Sequence, residues 1–196
     1  MKGTTKKVSI ATIRTRKLLM ESLFTLLEKK NFESISTTEI CDLAMVPRAT
    51  FYNHFKDKYD LLRFCIQHWQ SRIMPLDEEI GPYTEDYYNR IMKNVVSYIN
   101  SNMPAFKRIG RANNNGVIFT ELQKYISGTI KSHLEKIRLQ NVEFSVPPEV
   151  IAEFYSSAIV FLGKWWVENG LIYSEAEIAL YIHKLLHGEY YVNHNE

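Results

Sequence analysis

The sequence predicts an all-α fold in two parts, an N-terminal part in which longer helices brace two short ones and a C-terminal helical part. Glycine and proline are sparse, at 8 and 6 of 196 residues, so turns are few and long helices are favoured over a many-stranded sheet. Apolar residues recur at three- and four-residue spacing, the period of an amphipathic helix. Ser-x-x-Glu capping boxes mark two of the helix starts.

The composition is that of a globular chain with a mildly basic front. Hydrophobic residues make up 45% and aromatic residues 13% of the sequence, enough for one or two packed domains. Residues 1–62 carry 11 Lys and Arg against 7 Asp and Glu, whereas residues 63–196 carry 13 against 15. This distribution fits an anion-binding N-terminal part followed by a C-terminal part of a different kind. Cys41 and Cys65 have no metal-ligand spacing, as expected of buried thiols in a reducing compartment.

The first helix is predicted from Ser9 to Lys30. Its apolar residues fall largely on one stripe, the pattern of a helix with one face toward a core. They are Ile10, Ile13, Leu18, Leu19, Leu23, Leu26 and Leu27. Lys29 and Lys30 stand in the last turn, where positive charge suits the helix dipole.

Two short helices follow the first. Ser36 and Glu39 are spaced as a capping box, so the second helix begins there. Pro47 interrupts that helix and suits the first turn of a third, which is predicted to end near Phe55. Two short helices joined by a tight turn, and braced by longer ones, predict a helix-turn-helix.

Longer helices make up the rest of the chain. Asp57 and Asp60 are spaced as the cap of the fourth helix, and the loose stretch near 75–84 is the best candidate for a domain boundary. Ser174 and Glu177 form the second capping box. Further helices are predicted at about 85–101, 104–109, 117–139, 148–169 and 175–188.

Residues 35–62, ISTTEICDLAMVPRATFYNHFKDKYDLL, resemble the N-terminal DNA-binding domain of TetR-type transcriptional regulators. The likeness rests on an I-[ST]-x-x-E-I start, a short turn, T-F-Y-x-H-F, and K-x-x-L-L in the next helix. It implies a three-helix helix-turn-helix DNA-binding domain at 1–65 and a helical effector-binding and dimerisation domain at 66–196. It also implies a cytoplasmic, non-enzymatic, ligand-responsive repressor that binds a palindromic operator as a dimer.

The third helix carries the candidate base contacts, since the second helix of such a pair normally enters the major groove. Phe51 and Phe55 lie four apart and are expected to pack inward. Arg48 suits guanine, with a phosphate or plain solvation as the alternative, and Asn53 suits adenine or the groove edge. Ala49 suits a thymine methyl group.

The candidate phosphate contacts flank these positions. The resemblance implies that Tyr52 and His54 meet the DNA backbone. Lys58 adds charge at the start of the fourth helix, where a helix N-terminus already attracts anions. The complete set of predicted DNA-binding residues is Ser36, Thr37, Thr38, Pro47, Arg48, Ala49, Thr50, Tyr52, Asn53, His54 and Lys58.

Met45 and Pro47 depart from the family pattern. Glycine is the usual residue at the turn position of Met45, and a left-handed backbone there costs another residue roughly 1 kcal/mol. Either the turn has another geometry or some strain is tolerated. Pro47 replaces a small polar residue, so the third helix lacks a side-chain cap and a phosphate or a loop must satisfy its free amides.

The C-terminal helices are the candidate dimer interface. Helices 148–169 and 175–188 are rich in apolar residues, and two from each chain could form a four-helix bundle; the alternative is intrachain core. The segment 154–186 looks like the C-terminal region of a Gram-positive bacterial subgroup in which some members are activators. A small-molecule effector of unknown identity is expected between the helices of this half.

Other function classes have weaker support. His183 and His187 are four apart on one helix, a weak metal signal. No glycine-rich phosphate loop, nucleophile elbow or paired-acid signature appears, so no catalytic residue, metal site or cofactor is predicted. No apolar run approaches a membrane span, so no membrane partner is predicted. The stronger alternative is an activator or coactivator that acts through a protein partner without strong direct DNA binding.

Overall fold

The protein is described by a computed structural model. The residues that it describes are 9–73, 94, 96–113, 116–139, 143–169 and 172–186. Every regular element within them is helical, as the sequence predicts. The helices are α1 (Ile10–Leu27), α2 (Thr37–Ala44), α3 (Arg48–Tyr52), α4 (Lys58–Ile73), α5 (96–101), α6 (Met103–Ala112), α7 (Val117–Arg138), α8 (Pro148–Glu168) and α9 (Glu175–Leu186), with a 3-10 turn at Phe32–Ser34.

The apolar stripe of α1 is buried only in its second half. Ile10 and Ile13 are 75% and 57% exposed, and Leu18 is exposed as well. The prediction of one core-facing stripe is therefore wrong for the first part of the helix. Periodicity predicts an apolar face but not the length over which a partner covers it. The fully buried residues of α1 are Leu19, Leu23 and Leu27.

The turn between α2 and α3 has the geometry of a helix-turn-helix. The predicted capping box at the start of α2 is confirmed, because the Glu39 N–H donates to Ser36 Oγ at 3.2 Å and the Ser36 N–H donates to the Glu39 carboxylate at 2.9 Å. Met45 adopts the left-handed conformation, with φ 52° and ψ 41°. The turn therefore keeps the geometry that normally takes glycine, and Met45 carries the associated strain of about 1 kcal/mol.

The helix α3 is shorter than predicted. It begins after Pro47, which supplies no side-chain cap, and ends at Tyr52, where the sequence predicts an end near Phe55. Phe51 and Phe55 are buried, as predicted. They belong to a core that joins α1, α2, α3 and α4, and that also takes in Ile109 from α6 and Ile118 from α7. We call residues 9–66, with the core that they form, the head.

The cap predicted for α4 is also confirmed. The Asp60 N–H donates to the Asp57 carboxylate at 2.7 Å, and the Asp60 carboxylate accepts the Lys56 N–H at 3.0 Å. These bonds satisfy backbone amides that a helix start leaves unpaired. The start of α4 is thereby held against the end of α3.

The C-terminal helices, α5 to α9, form the body. α7 and α8 pack along each other, with α6 against α8. The face of α8 toward α7 is lined by Ala152, Ser156 and Val160, and Ser127 of α7 donates to the Glu153 carboxylate at 2.7 Å. Among the described helices, α8 is long and apolar enough to cross a membrane, a test that core helices of soluble proteins also pass.

The predicted bounds of the body helices hold to within a few residues. α7, α8 and α9 begin where predicted, and α7 and α8 end one residue early, whereas the predicted end of α9 lies outside the described residues. α6 is longer than the predicted 104–109. The Ser174–Glu177 capping box is confirmed, with the Ser174 N–H donating to Glu177 at 2.8 Å. The candidate boundary near 75–84 and the first part of the predicted helix 85–101 lie outside the described residues.

Candidate nucleic-acid interface

The outer side of α3 presents the residues predicted to read bases. Arg48, Ala49 and Asn53 are exposed, and Tyr52 is 51% exposed although it is aromatic. Thr50 is half-buried. These side chains lie outside the core because Phe51 and Phe55 turn the opposite side of the same segment inward. The result is a short helix with one apolar anchor face and one polar face open to solvent.

The start of α2 adds a second polar edge. Thr38 is exposed and Thr37 is half-exposed, so their hydroxyls are accessible to a ligand. Ser36 is exposed too, but its hydroxyl is engaged by the N–H and the carboxylate of Glu39. Lys30 pairs with the same carboxylate, and that hydrogen bond is the main reason why the pKa of Glu39 falls to about 2.

Lys58, which is predicted to contact a DNA phosphate, has its ammonium engaged within the chain. Its ammonium donates to the carbonyl oxygens of Phe32, Glu33 and Ile35, each at 2.9 Å. Its side chain is only 15% exposed. A lysine ammonium has three N–H donors, and all three are used by the chain. In this structure Lys58 therefore ties α4 to the 3-10 turn between α1 and α2.

His54 follows α3 and lines a cleft between α1 and α4. Burial, and next the positive charge of Arg16, lower the pKa of His54 below its ordinary value. The cleft has a volume of about 230 Å³. Its lining residues are Arg16, His54, Phe55, Asp60, Arg63, Phe64 and Gln67. Arg16 has no distinguishing signal in the sequence, where it is one of several basic residues on α1.

Asn113 is a second residue that the sequence analysis missed. It is fully buried just after α6, and the oxygen of its side-chain amide accepts the Phe32 N–H at 2.7 Å. Its amide donates to the carbonyl oxygens of Leu27 and Ile109, each at 3.0 Å. Nothing in the surrounding sequence signals the contacts with Leu27 and Phe32, since these residues stand more than eighty positions away. The polar cluster joins the body directly to the corner between α1 and α2.

No metal-binding cluster is present in the part of the chain that the structure describes, where no group of three His, Cys, Asp or Glu side chains is close enough to hold an ion. His187 lies outside that part, so the weak metal signal of His183 and His187 falls outside the described residues. Cys65 is fully buried, and burial raises the pKa of its thiol. A protonated, buried thiol is a poor nucleophile and a poor ligand.

This geometry defines a class of protein, the helix-turn-helix regulators of transcription. Residues 19–64 match the family model of bacterial regulatory proteins of the tetR family. Residues 86–188, more than half of the chain, match a TetR-family model described as a transcriptional regulator C-terminal region. The chain belongs to the TetR family of transcriptional regulators. A sequence comparison with curated proteins returned no match.

Solved structures share the fold over nearly the whole chain. Lin0861 from Listeria innocua is 22% identical with a TM-score of 0.70, over 94% of this chain and 96% of that one. The FadR repressor of Thermus thermophilus, solved with lauroyl-CoA, is 16% identical with a TM-score of 0.57, over 91% and 96%. The dihydroxyacetone kinase operon activator DhaS is 17% identical with a TM-score of 0.53, over 90% and 96%.

Proposed function

We propose that this TetR-family protein is a ligand-responsive repressor that binds a palindromic DNA operator as a homodimer. The observation that carries the proposal is the two-sided third helix. Arg48, Tyr52 and Asn53 are exposed on a segment that Phe51 and Phe55 anchor in the core. A short helix held in this way presents its polar side to the major groove without bending.

Specificity is assigned to the exposed end of α3. Arg48 at the N-terminal end reads guanine through its two-pronged guanidinium, and Asn53 reads adenine. Ala49 packs on a thymine methyl group. A good bidentate pair contributes about 1–3 kcal/mol of discrimination between bases. Substitution of Arg48 therefore relaxes sequence preference as well as affinity.

Phosphate contacts set the register of the helix on the duplex. Thr37 and Thr38 reach one strand from the start of α2, together with Thr50, Tyr52 and His54 from α3 and the turn after it. Ser36 and Pro47 stand at the starts of the two helices and place their backbones. Lys58 contributes by fixing the start of α4, since its donors are engaged by backbone carbonyls.

A dimer is supported by the outer face of α8. Val150, Phe154, Phe161 and Trp165 recur at spacings of four and seven residues, so they share one face of the helix. They are between 41% and 66% exposed in the single chain. On α9, Tyr181 and Leu185 are exposed as well. Pairing these faces across a two-fold axis buries a contiguous apolar surface and places two heads on one palindrome.

The link between effector and DNA is supported by contacts of α6 with the head. Asn113 bonds to the corner between α1 and α2, and Arg108 Nε pairs with the Glu28 carboxylate at 2.8 Å. Aromatic rings add to this contact, because Trp69 of α4 stacks on Phe24 of α1 at 4.3 Å between centroids and lies 6.2 Å from the ring of Phe106 on α6. An effector that favours one position of the body helices therefore shifts the spacing of the two heads.

The remaining assignments follow from family membership. The DNA-binding domain comprises residues 1–65, and the effector-binding and dimerisation domain comprises 66–196. The protein acts in the cytoplasm, carries no catalytic activity and requires no cofactor. Its effector is a small molecule whose chemistry the described residues do not specify.

The test is selection of bound sequences from random duplex DNA, followed by anisotropy titration. Wild-type protein is expected to enrich a palindrome, and Arg48→Ala with Tyr52→Ala is expected to abolish the preference. Arg138→Ala, an exposed arginine at the far end of α7, is the control and keeps wild-type affinity. An unchanged affinity in the Arg48 and Tyr52 variants would show that α3 does not read DNA.

The second candidate is an activator, and one comparison favours it. DhaS, which shares this fold, is named as an operon activator. A reporter fused to the selected palindrome separates the two signs of regulation. Repression predicts higher expression when the protein is deleted, whereas activation predicts lower expression. Strong reporter control by a protein that shows no salt-dependent retention on DNA would favour a coactivator that acts through a protein partner.

A further inference from the structure

Arg16 carries a charge that the described part of the chain does not neutralise. Its side chain is largely buried in α1, and its Nε is buried without a hydrogen-bond partner. No hydrogen bond or ion pair joins its guanidinium to any described residue. An arginine has five N–H donors and stays protonated at all physiological pH values. A shielded guanidinium with unused donors favours an anion as its partner.

The guanidinium is nevertheless held in one place. It lies over the ring of Phe64 at 5.4 Å from the centroid and over the ring of Phe55 at 6.0 Å. Cation–π contact of this kind orients the group without using its in-plane N–H donors. Those donors remain available at the cleft that Arg16 lines. The positioning is supplied by the core, because Phe55 is buried.

The other polar groups at the cleft leave the site open to an anion. The imidazole of His54 makes no side-chain hydrogen bond to a described residue, and the charge of Arg16 contributes to the lowered pKa of His54. Asp60, the acid in the lining, accepts the Lys56 N–H at 3.0 Å and stands 3.7 Å from Arg63. The Asp60 carboxylate is thus engaged by the Lys56 N–H and by Arg63, and no ion pair joins it to Arg16 among the described residues.

We infer that Arg16 and His54 form a phosphate-binding site at the end of the recognition helix, filled by a backbone phosphate of the operator. The inference rests on the proposed DNA binding, and it adds a contact from α1 that the sequence pattern did not indicate. Phe55 joins the two roles, since it anchors α3 and supports the Arg16 guanidinium. A free phosphorylated molecule offers the same chemistry, and the experiment separates the two sources.

The DNA arm compares salt dependence. A duplex selected by the wild-type protein and a random-sequence duplex are titrated at several salt concentrations with wild type, Arg16→Gln and Arg16→Lys. Each phosphate contact contributes about 0.9 to the slope of log affinity against log salt, so Arg16→Gln lowers the slope by about two units for a dimer. Arg16→Gln also reduces the affinity for both duplexes by a similar factor. Arg16→Lys retains most of the slope.

The control is Lys17→Gln, which removes one charge from the adjacent position of α1. Lys17 is well exposed, pairs with Glu21 at 3.7 Å and lies outside the cleft. It is expected to leave the slope unchanged. Thermal melting without DNA checks the fold, and Arg16→Gln is expected to stay folded, because it removes two cation–π contacts but no hydrogen bond or ion pair to a described residue. Lower melting with an unchanged slope would assign Arg16 to the core and overturn the inference.

The second arm titrates inorganic phosphate into the DNA-free protein. A rise in the wild-type melting temperature that Arg16→Gln lacks, together with an unchanged DNA slope, supports the site and assigns it to a free phosphorylated ligand. Equal slopes and equal phosphate responses in both proteins overturn the inference. If wild type binds no duplex at all, the proposed function fails, and the phosphate arm still decides whether the cleft holds an anion.

Discussion

The head and the body of this protein bury their apolar residues to different extents. The head packs α1 to α4 around a dense core in which Leu19, Leu23, Phe51 and Leu61 have no exposed surface. In the body, the described residues outside that core contribute a small buried cluster of Val96, Trp166 and Ile178. The apolar helix α8 leaves one face exposed to solvent in the single chain. The head buries its apolar residues within one chain, whereas the body leaves an apolar face of α8 exposed.

The largest expected effect tests whether the head depends on its internal anchor. Phe51→Ala removes a fully buried ring and should destabilise the protein by about 3–5 kcal/mol. DNA binding should be lost with the fold of the head. Chemical denaturation measures the loss. Tyr52→Ala, next to it but exposed, should lose DNA affinity with little change in stability. Equal destabilisation by the two variants would contradict the two-sided helix.

The next effect lies at the join between the two regions. Asn113→Ala leaves the Phe32 N–H and the Leu27 carbonyl without their side-chain partner. A buried group left unpaired costs about 1–3 kcal/mol, so a loss of at least about 2 kcal/mol is expected. Asn102→Ala, which breaks a bond within one helix turn, is the milder control. A small effect at Asn113 would show that head and body are held by apolar contacts alone.

The open face of the body is tested by Phe154→Ser combined with Trp165→Ser. The pair should raise the dimer dissociation constant at least tenfold, or about 1.4 kcal/mol, and leave the monomer folded. Light scattering across a concentration series measures it. Leu139→Ser replaces an exposed apolar residue outside the stripe and should leave the dimer intact. Unfolding of the double variant would instead place the stripe in an intrachain core and remove the contrast with the head.

The turn of the head should gain stability from one substitution. Met45→Gly relieves a left-handed backbone and is expected to stabilise by about 1 kcal/mol. Met45→Ala keeps the strain and should show no gain. The midpoints of urea unfolding compare the three proteins. A loss of stability in Met45→Gly would mean that the exposed methionine side chain makes contacts that outweigh the strain.

The smallest effect is the pH dependence that Glu39 contributes to the stability of the head. The hydrogen bond from Lys30 and those from Ser36 lower the pKa of Glu39 to about 2, from an ordinary 4.5. A lowered carboxyl pKa means that the folded state binds fewer protons, so this contribution is full above pH 4.5 and is lost as pH falls toward 2. Urea unfolding across that range should show a flatter profile for Glu39→Gln. Glu149→Gln, on the body, should keep the wild-type profile.

The candidate nucleic-acid interface could be predicted from the sequence only where it depends on residues that are close together in the chain. The capping box of Ser36 with Glu39 and the inward turn of Phe51 and Phe55 follow from spacings of three and four residues, and the structure confirms them. Lys58 stands at the start of α4, a position that predicts a phosphate contact from the sequence alone. Its ammonium instead meets carbonyls more than twenty positions earlier in the chain. Sequence spacing carries no information about such partners.

The sequence by itself determined the all-helical fold, the starts of the helices and the two-sided third helix, because these depend on residues within one or two turns of each other. Only the tertiary structure decided that Arg16 faces a cleft beside His54, that Asn113 joins the body to the head, and that the outer stripe of α8 stays uncovered in one chain. Each depends on which helix packs beside which. That choice is made by the whole core, which no single periodic pattern contains.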